Sequence, residues 1–573
     1  MNQETKQCQN CHKDFTIEPE DFNFYEKIKV PPPTFCPECR IIRRTIFLNF
    51  VNLYKKTEAK KREKVFSGYP EEADIKIYDH DYWWSDNWNP MDYGEDVDFS
   101  EPFLEQLKKL NFSVPWPSRS VRGLVNSDYC NCASYLKNCY LCFNCNDVEN
   151  CQYCFGSNYA KDSIDCCLSL KPQLCYELFE CNSLFQCFYC AETKDCRNLR
   201  FCDECINCSD CFGCFNLRNK QYYIWNQPHT KEDYFKKLKE INVGSYAEVN
   251  KIKEKFNKLK FELPRKYIHG NHNKNVTGEY VYRSKDTFNC FEVGGCENVR
   301  YSQQIEDTAK DSYDYTNWSQ NSELVYEAIS CGDNCQNIKF CFDCWPAMQD
   351  SEYCLCCHSC SNCFGCMGLR SKQYCVLNKQ YTKEEYERLV PMIKKHMADM
   401  PYVDSRDLKY SYGEFFPIDF SPMAYNETMA MEYFPKTKEQ VLTEGYFWRD
   451  KIQGEHKITL DAKELPDDIK DVSEDILKEV IRCESCKGAF KLIEAEVNFY
   501  RKFLIPLPRM CFWCRHMDRR KKANPLKLWH RQCMCDKQGH SHKGRCEIEF
   551  ETSYAPDRPE IVYCEECYQK EVY

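Results

Sequence analysis

The stretch Cys202-Asp203-Glu204-Cys205-Ile206-Asn207-Cys208-Ser209-Asp210-Cys211-Phe212-Gly213-Cys214 places a cysteine at every third position. That spacing matches neither the two-residue period of a strand nor the 3.6-residue period of a helix, so the chain must follow a turn-rich path. The run returns 152 residues later as Cys354, Cys357, Cys360, Cys363 and Cys366. Its tail returns too, with Leu217, Arg218, Lys220, Gln221 and Tyr222 becoming Leu369, Arg370, Lys372, Gln373 and Tyr374. Two blocks, roughly 126–216 and 286–366, are therefore copies of one unit.

Within the first block Cys139, Cys151, Ser163, Cys175 and Cys187 fall every twelve residues. A fixed period implies stacked repeats, and small residues at one register suit the narrow interior of a β-solenoid. Most of these cysteines read as buried small apolar side chains. Two sharper readings stay open at this level. Consecutive C-x2-C pairs can bind zinc, and C-x2-C-x2-C superficially resembles an iron–sulfur run, although the C-x3-C-Pro ending is missing. Each block runs on into a helix opened by a threonine cap, at Thr230-Lys231-Glu232-Asp233 and Thr382-Lys383-Glu384-Glu385.

Outward from the blocks lie two copies of a different motif. Cys8, Cys11, Cys36 and Cys39 have the same spacing as Cys483, Cys486, Cys511 and Cys514, 475 residues later. Phe15, Phe24, Tyr25, Lys27, Pro31, Pro33 and Arg44 recur at that offset as Phe490, Phe499, Tyr500, Lys502, Pro506, Pro508 and Arg519. Two C-x2-C knuckles close a tetrahedron of thiolates around zinc, and four protein ligands leave no open position for catalysis. The first C-x2-C, Phe15, Phe24-Tyr25, Pro33 and Cys36-Pro37-Glu38-Cys39-Arg40 resemble a bacterial domain described as a probable zinc ribbon. With Tyr412-Gly413-Glu414-Phe415-Phe416-Pro417 and Ser421-Pro422-Met423-Ala424-Tyr425-Asn426, the whole chain resembles a family of uncharacterised cysteine-rich bacterial proteins carrying that domain at both ends. The resemblance implies a ribbon fold and no activity.

A third zinc is expected after the second ribbon, from Cys535, Cys546, Cys564 and Cys567, with Cys533 as an alternative donor. His540 or His542 could replace a thiolate there, but both read more simply as a solvated polar loop. The equivalent stretch after the first ribbon, Ile77-Tyr78-Asp79-His80-Asp81-Tyr82-Trp83-Trp84, has lost its cysteines. Packing around Trp83, Trp84 and Trp88 is expected there in place of metal. His269-Gly270-Asn271-His272 reads as a polar linker after Pro264.

The expected fold is multidomain and mainly β, with small zinc ribbons flanking two cysteine-rich solenoid-like blocks, each followed by a helix. Its segments are a ribbon at 1–50, a metal-free module with a Trp cluster and helix at 51–125, solenoid-plus-helix units at 126–262 and 263–400, a linker and helix region at 401–480, a second ribbon at 481–525 and a zinc module at 526–573. With 573 residues the chain is too long for one core. No leader-like or membrane-spanning stretch is read from it, so a reducing cytoplasm is expected. There 45 cysteines serve metal or burial rather than disulfides.

About three Zn²⁺ are expected and no catalytic residue, since no phosphate loop, nucleophile elbow or H-E-x-x-H helix is present. The net charge of −10 opposes non-specific nucleic-acid affinity. Residues 40–64 nevertheless hold nine Lys or Arg against two acids, and Arg519, Arg520, Lys521 and Lys522 are contiguous. These basic segments suggest RNA or DNA binding; a protein-interaction scaffold and a thiol redox or metal-handling role are the alternatives.

Overall fold

The computed structural model describes residues 2–450 and 456–573, so residues 451–455 of the expected linker region, like Met1, lie outside the described residues. The chain builds two parallel β-solenoids. The first ladder runs from Val121↔Ala133 to Phe212↔Ile224, with partners twelve residues apart. The second runs from Gly270↔Val281 to Phe364↔Val376; it opens on an eleven-residue coil and then mixes twelve-residue coils with thirteen-residue ones, as in Gln336↔Gln349.

The three-residue cysteine spacing is the side length of a coil. From Cys132 to Trp225 nearly every third residue has positive φ, among them Asn138, Leu141, Asn144, Asp147 and Asn150. A left-handed residue turns the chain through a corner, so twelve residues make four short sides. Each side points its first residue inward. Cys130, Cys142, Cys154, Cys166, Leu178, Cys190, Cys202 and Cys214 thus form one interior column, all fully buried.

Hydrogen bonding explains why that column is rich in cysteine. On the side Cys151–Tyr153, Gln152 donates its N–H to Ser163 O on the next coil and Tyr153 donates to Tyr140 O on the previous one. Beyond the first coils, where Ala133 donates to Ser120 O and Val281 to His269 O, the inward residue's own N–H has no carbonyl partner of this kind. It is taken by the side chain stacked on it: Cys175 N–H donates to Ser163 Oγ at 3.1 Å, and Cys208 N–H to Cys196 Sγ at 3.1 Å. The thiols in turn donate to the carbonyl two residues back, as Cys151 does to Glu149 O at 3.3 Å. A small side chain that both donates and accepts fills this role, which selects Cys, Ser and Thr. Burial raises the pKa of thiols such as Cys145 and Cys290 well above the usual range, while at others burial is outweighed by hydrogen bonds from neighbouring thiols, which bring Cys341 down to about 5. The stacked-thiol reading therefore describes these columns; among the described residues no set of three metal-ligating groups converges inside them.

Two helices, Lys231–Lys239 and Tyr246–Phe261, follow the first solenoid, one more than expected. A single helix, Lys383–Asp399, follows the second and keeps the full capping box between Thr382 and Glu385. The outer modules dock crosswise. The N-terminal ribbon helix Pro37–Thr45 lies on strands Ala309–Thr316 and Tyr326–Ile329 of the second solenoid, and the late ribbon helix Phe512–Arg520 lies on Ile164–Cys167 and Tyr176–Phe179 of the first. The repeat arginines follow suit: Arg218 donates to Tyr568 Oη at 2.8 Å, and Arg370 donates to Trp84 O at 2.7 Å.

Cys166, packed between Cys154 and Leu178, tests the interior. Cys166→Ser should keep the ladder and leave the thermal midpoint within a few degrees, whereas Cys166→Phe should cost about 1–3 kcal/mol or more through overpacking. Thermal unfolding followed by circular dichroism measures both.

Candidate metal centres

Each ribbon is a β-hairpin followed by a helix. Strands Glu4–Gln7 and Asp14–Ile17 pair antiparallel, and their turn carries Cys8 and Cys11. Cys36 is the N-cap of the helix Pro37–Thr45, and Cys39 lies in its first turn. Cys36 N–H donates to Cys8 Sγ at 3.2 Å, and Cys11 and Cys36 sulfurs lie 3.7 Å apart. The second ribbon repeats both values, with Cys511 N–H on Cys483 Sγ at 3.2 Å and Cys486 against Cys511 at 3.7 Å. In each tetrad the four sulfurs lie within 4.8 Å of one another, so all eight expected ligands converge as two sites that can hold a metal ion. The thiols of each tetrad share protons: hydrogen bonds from Cys36 and then Cys39 hold Cys8 far below its ordinary range while Cys39 is pushed up, and those from Cys511 first bring Cys514 down to about 5 while Cys511 is pushed up. Thiolates of this kind are metal ligands.

The third tetrad corrects one expected ligand. Cys533, Cys546, Cys564 and Cys567 converge, and Cys535 is not among them. Cys533 directly follows the strand Trp529–Gln532, donates its N–H to Ile548 O at 2.9 Å and accepts Cys564 N–H at 3.2 Å. This is the place Cys8 holds, where the N–H goes to Lys13 O at 2.9 Å. The third site is thus a ribbon whose first knuckle is split by an inserted loop, and the two-residue spacing that betrays a knuckle in sequence is lost. Cys535 instead faces His540, 3.3 Å away.

The same fold occurs a fourth time without cysteine. Strands Tyr54–Thr57 and Lys64–Ser67 form a hairpin fifty residues after the first, and Asp79 caps the helix His80–Trp84. Ala59 N–H donates to Ile77 O at 2.8 Å, as Gln9 N–H does to Thr34 O at 3.1 Å. Glu58, Lys61, Asp79 and Tyr82 therefore stand at the four ligand positions. The Glu58 carboxylate accepts the turn amides of Lys60 and Lys61. Trp83 is fully buried between Trp84 and Trp88, with ring centroids 4.9 and 5.8 Å away.

The basic helices beside the ribbons point inward. Arg519 and Arg520, expected to meet phosphates, are only 2% and 7% exposed. Arg515 and Arg519 both bind Asp165, at 2.8 and 2.9 Å, and Arg520 faces Glu292 at 3.4 Å. Lys522, 3.6 Å from Glu177, and Lys521, 3.9 Å from Asp518, both stay exposed. The first ribbon repeats the arrangement. Arg40 meets Asp314 at 2.9 Å, Arg43 meets Glu327 and Glu414 at 2.7 and 2.8 Å, and Arg44 meets Asp314 and Glu327 at 3.2 and 2.9 Å. The two arginines of the four-residue patch are thus turned away from solvent, and its two lysines are not. Periodicity along the helix could not show this, because the partner carboxylates are hundreds of residues away.

His269 is likewise no solvated linker residue. It is mostly buried at the junction of the solenoids, with Nε2 2.5 Å from Glu192 and 3.8 Å from Glu204, and Nδ1 against Glu279. Arg265 binds Glu204 at 2.8 Å, Tyr280 donates to Glu192 at 2.7 Å, and Asn524 donates to Glu279 at 3.1 Å. Burial opposes protonation of His269, but the carboxylate of Glu192 first, with Tyr554 and Glu279, outweighs it and raises the imidazole pKa well above its ordinary range.

No family model matches the chain, and no curated protein matches it. Among solved structures, one from Desulfovibrio desulfuricans G20, named as a proposed acetyltransferase, aligns with 51% of this chain and 85% of its own length at 8% identity. Its TM-score of 0.10 carries no argument about fold or activity.

Asp165 alone neutralises two buried guanidinium groups. Asp165→Ala should therefore cost about 3–5 kcal/mol and loosen the second ribbon, measured by denaturant unfolding and hydrogen exchange over 481–525. The junction histidine gives a pH dependence. A raised folded-state pKa stabilises fully below the unfolded value of about 6.5, and that stabilisation drains away as pH climbs through the folded value. Denaturation midpoints should accordingly fall above about pH 6.5, and His269→Gln should flatten the slope.

Proposed function

We propose that this chain is a zinc-stabilised, non-enzymatic binding protein whose working surface is the first solenoid and whose partners are proteins. The observation that carries the reading is the inward turn of both basic helices. Arg40, Arg43, Arg44, Arg515, Arg519 and Arg520 are spent on buried carboxylates, so of the two basic segments only lysines and Arg62 remain exposed, which weakens the sequence argument for phosphate binding. Closed thiolate tetrads in a cytoplasmic chain select zinc and leave no open coordination position, which supports a structural role. The interior thiols are buried, which argues against redox exchange.

What remains exposed fits protein recognition. Tyr135 and Tyr159 stand two coils apart on one corner column, 51% and 53% exposed, and Tyr129 and Phe185 are exposed elsewhere on the same solenoid. Rigid aromatic side chains on a repeat scaffold are typical anchors for a protein partner. Affinity capture with and without nuclease tests the reading. Partners should survive nuclease and be lost on the double substitution Tyr135→Ala and Tyr159→Ala. Partners that vanish with nuclease, or a salt-dependent affinity for single-stranded RNA, would establish the nucleic-acid alternative instead.

A further inference from the structure

Beside the third tetrad lies a second convergent group, Cys535, His540, His542 and Cys567, whose donor atoms also fall within 4.8 Å of one another. Cys567 belongs to both groups. His540 Nδ1 is 3.3 Å from Cys535 Sγ, and His542 Nε2 is 3.3 Å from Cys567 Sγ. We infer that the C-terminal module is a two-metal cluster, in which Cys567 bridges one ion held by Cys533, Cys546 and Cys564 and a second held by Cys535, His540 and His542.

Three observations carry this beyond the tetrad. The first is the donor count. Two four-coordinate ions need eight donor positions, and the module offers seven ligating side chains, five thiols and two imidazoles. Sharing one thiolate completes both tetrahedra, and the residue common to both groups is a cysteine, whose sulfur can bridge.

The second is the orientation of the histidines. A neutral imidazole can bind metal through one nitrogen only if the other carries the proton. His542 Nδ1 lies 2.8 Å from Gly544 O, a carbonyl that can only accept, so the proton sits there and the Nε2 lone pair faces Cys567. His540 Nε2 lies 3.1 Å from the Glu571 carboxylate, so its Nδ1 lone pair faces Cys535. Outer carboxylate and carbonyl acceptors of this kind fix the tautomer and the orientation of a metal-binding histidine.

The third is the loop. Gly539 and Gly544 bracket the two histidines with φ of +88° and +74°, and a Cβ at either would meet nothing within 4 Å. Left-handed backbone at both ends folds the insertion back over the tetrad, although no steric crowding demands glycine there. The insertion that splits the knuckle is the segment that brings the second pair of ligands.

The ligand class is a borderline-soft divalent ion, zinc above all, because two thiolates and two imidazoles suit it. The inference rests on the reading that the tetrads hold zinc, and metal counting on the full chain separates the two. Purified protein reconstituted with Zn²⁺ under reducing conditions should hold four ions, the double variant His540→Gln and His542→Gln three, and Cys567→Ser two. With ¹¹³Cd²⁺ in place of zinc, two of the four resonances should split by mutual coupling through the shared sulfur, which needs no variant to fold. Three ions in both wild type and the double variant, or four unsplit cadmium resonances, would overturn the bridged cluster while leaving the tetrads intact. Fewer than two ions in wild type would overturn the tetrads as well.

Discussion

The three-residue side is the constraint on which this protein is built. A corner at every third residue leaves an interior only one small side chain wide per side, with neighbouring coils about 4.8 Å apart. It also leaves one inward N–H per side to be accepted by a stacked side chain, as Ser127 Oγ accepts Cys139 N–H at 3.0 Å. Thiols and hydroxyls satisfy both demands. The high cysteine content of the middle is therefore a consequence of backbone hydrogen bonding, and it is chemically separate from the cysteines at the chain ends.

The corners that narrow the interior also project side chains outward, and there the acids that hold the molecule together are found. Asp165, Glu177, Glu192, Glu204, Glu292, Asp314 and Glu327 all have positive φ. The ribbon arginines and His269 bind all of these but Glu177, which meets Lys253 and Lys522. Removing one member of such a buried pair strands a charge, so each ribbon has one favoured seat on its solenoid. The crosswise docking follows: Arg44 and Arg519 occupy equivalent ribbon positions, yet their carboxylates belong to opposite solenoids.

One hairpin-and-helix design serves four times with different internal supports. Two copies gather four thiols on regular knuckles, a third gathers them across an insertion, and the fourth replaces them. In that fourth copy the Glu58 carboxylate accepts turn amides as a thiolate would, and Trp83 seals the centre. A module this small lacks the core to fold alone and needs either metal or neighbours. Here Trp84 packs on His358 of the second solenoid with ring centroids 4.6 Å apart, so the neighbour is supplied.

By itself the sequence determined whatever is carried by short, regular spacing. The twelve-residue period announced stacked coils, the C-x2-C pairs located eight ligands, and the offsets of 152 and 475 revealed the duplications. Such signals are local because the geometry that demands them spans a coil or a knuckle. Only the tertiary structure decided what depends on distant partners: that Cys533 rather than Cys535 completes the third tetrad, that residues 54–84 are a ribbon without cysteine, that His269 sits among three glutamates, and that Arg519 and Arg520 face inward. In each case the deciding group lies far along the chain, as Asp165 does from Arg519, and a charge read without its partner looks the same whether it meets solvent or a buried carboxylate.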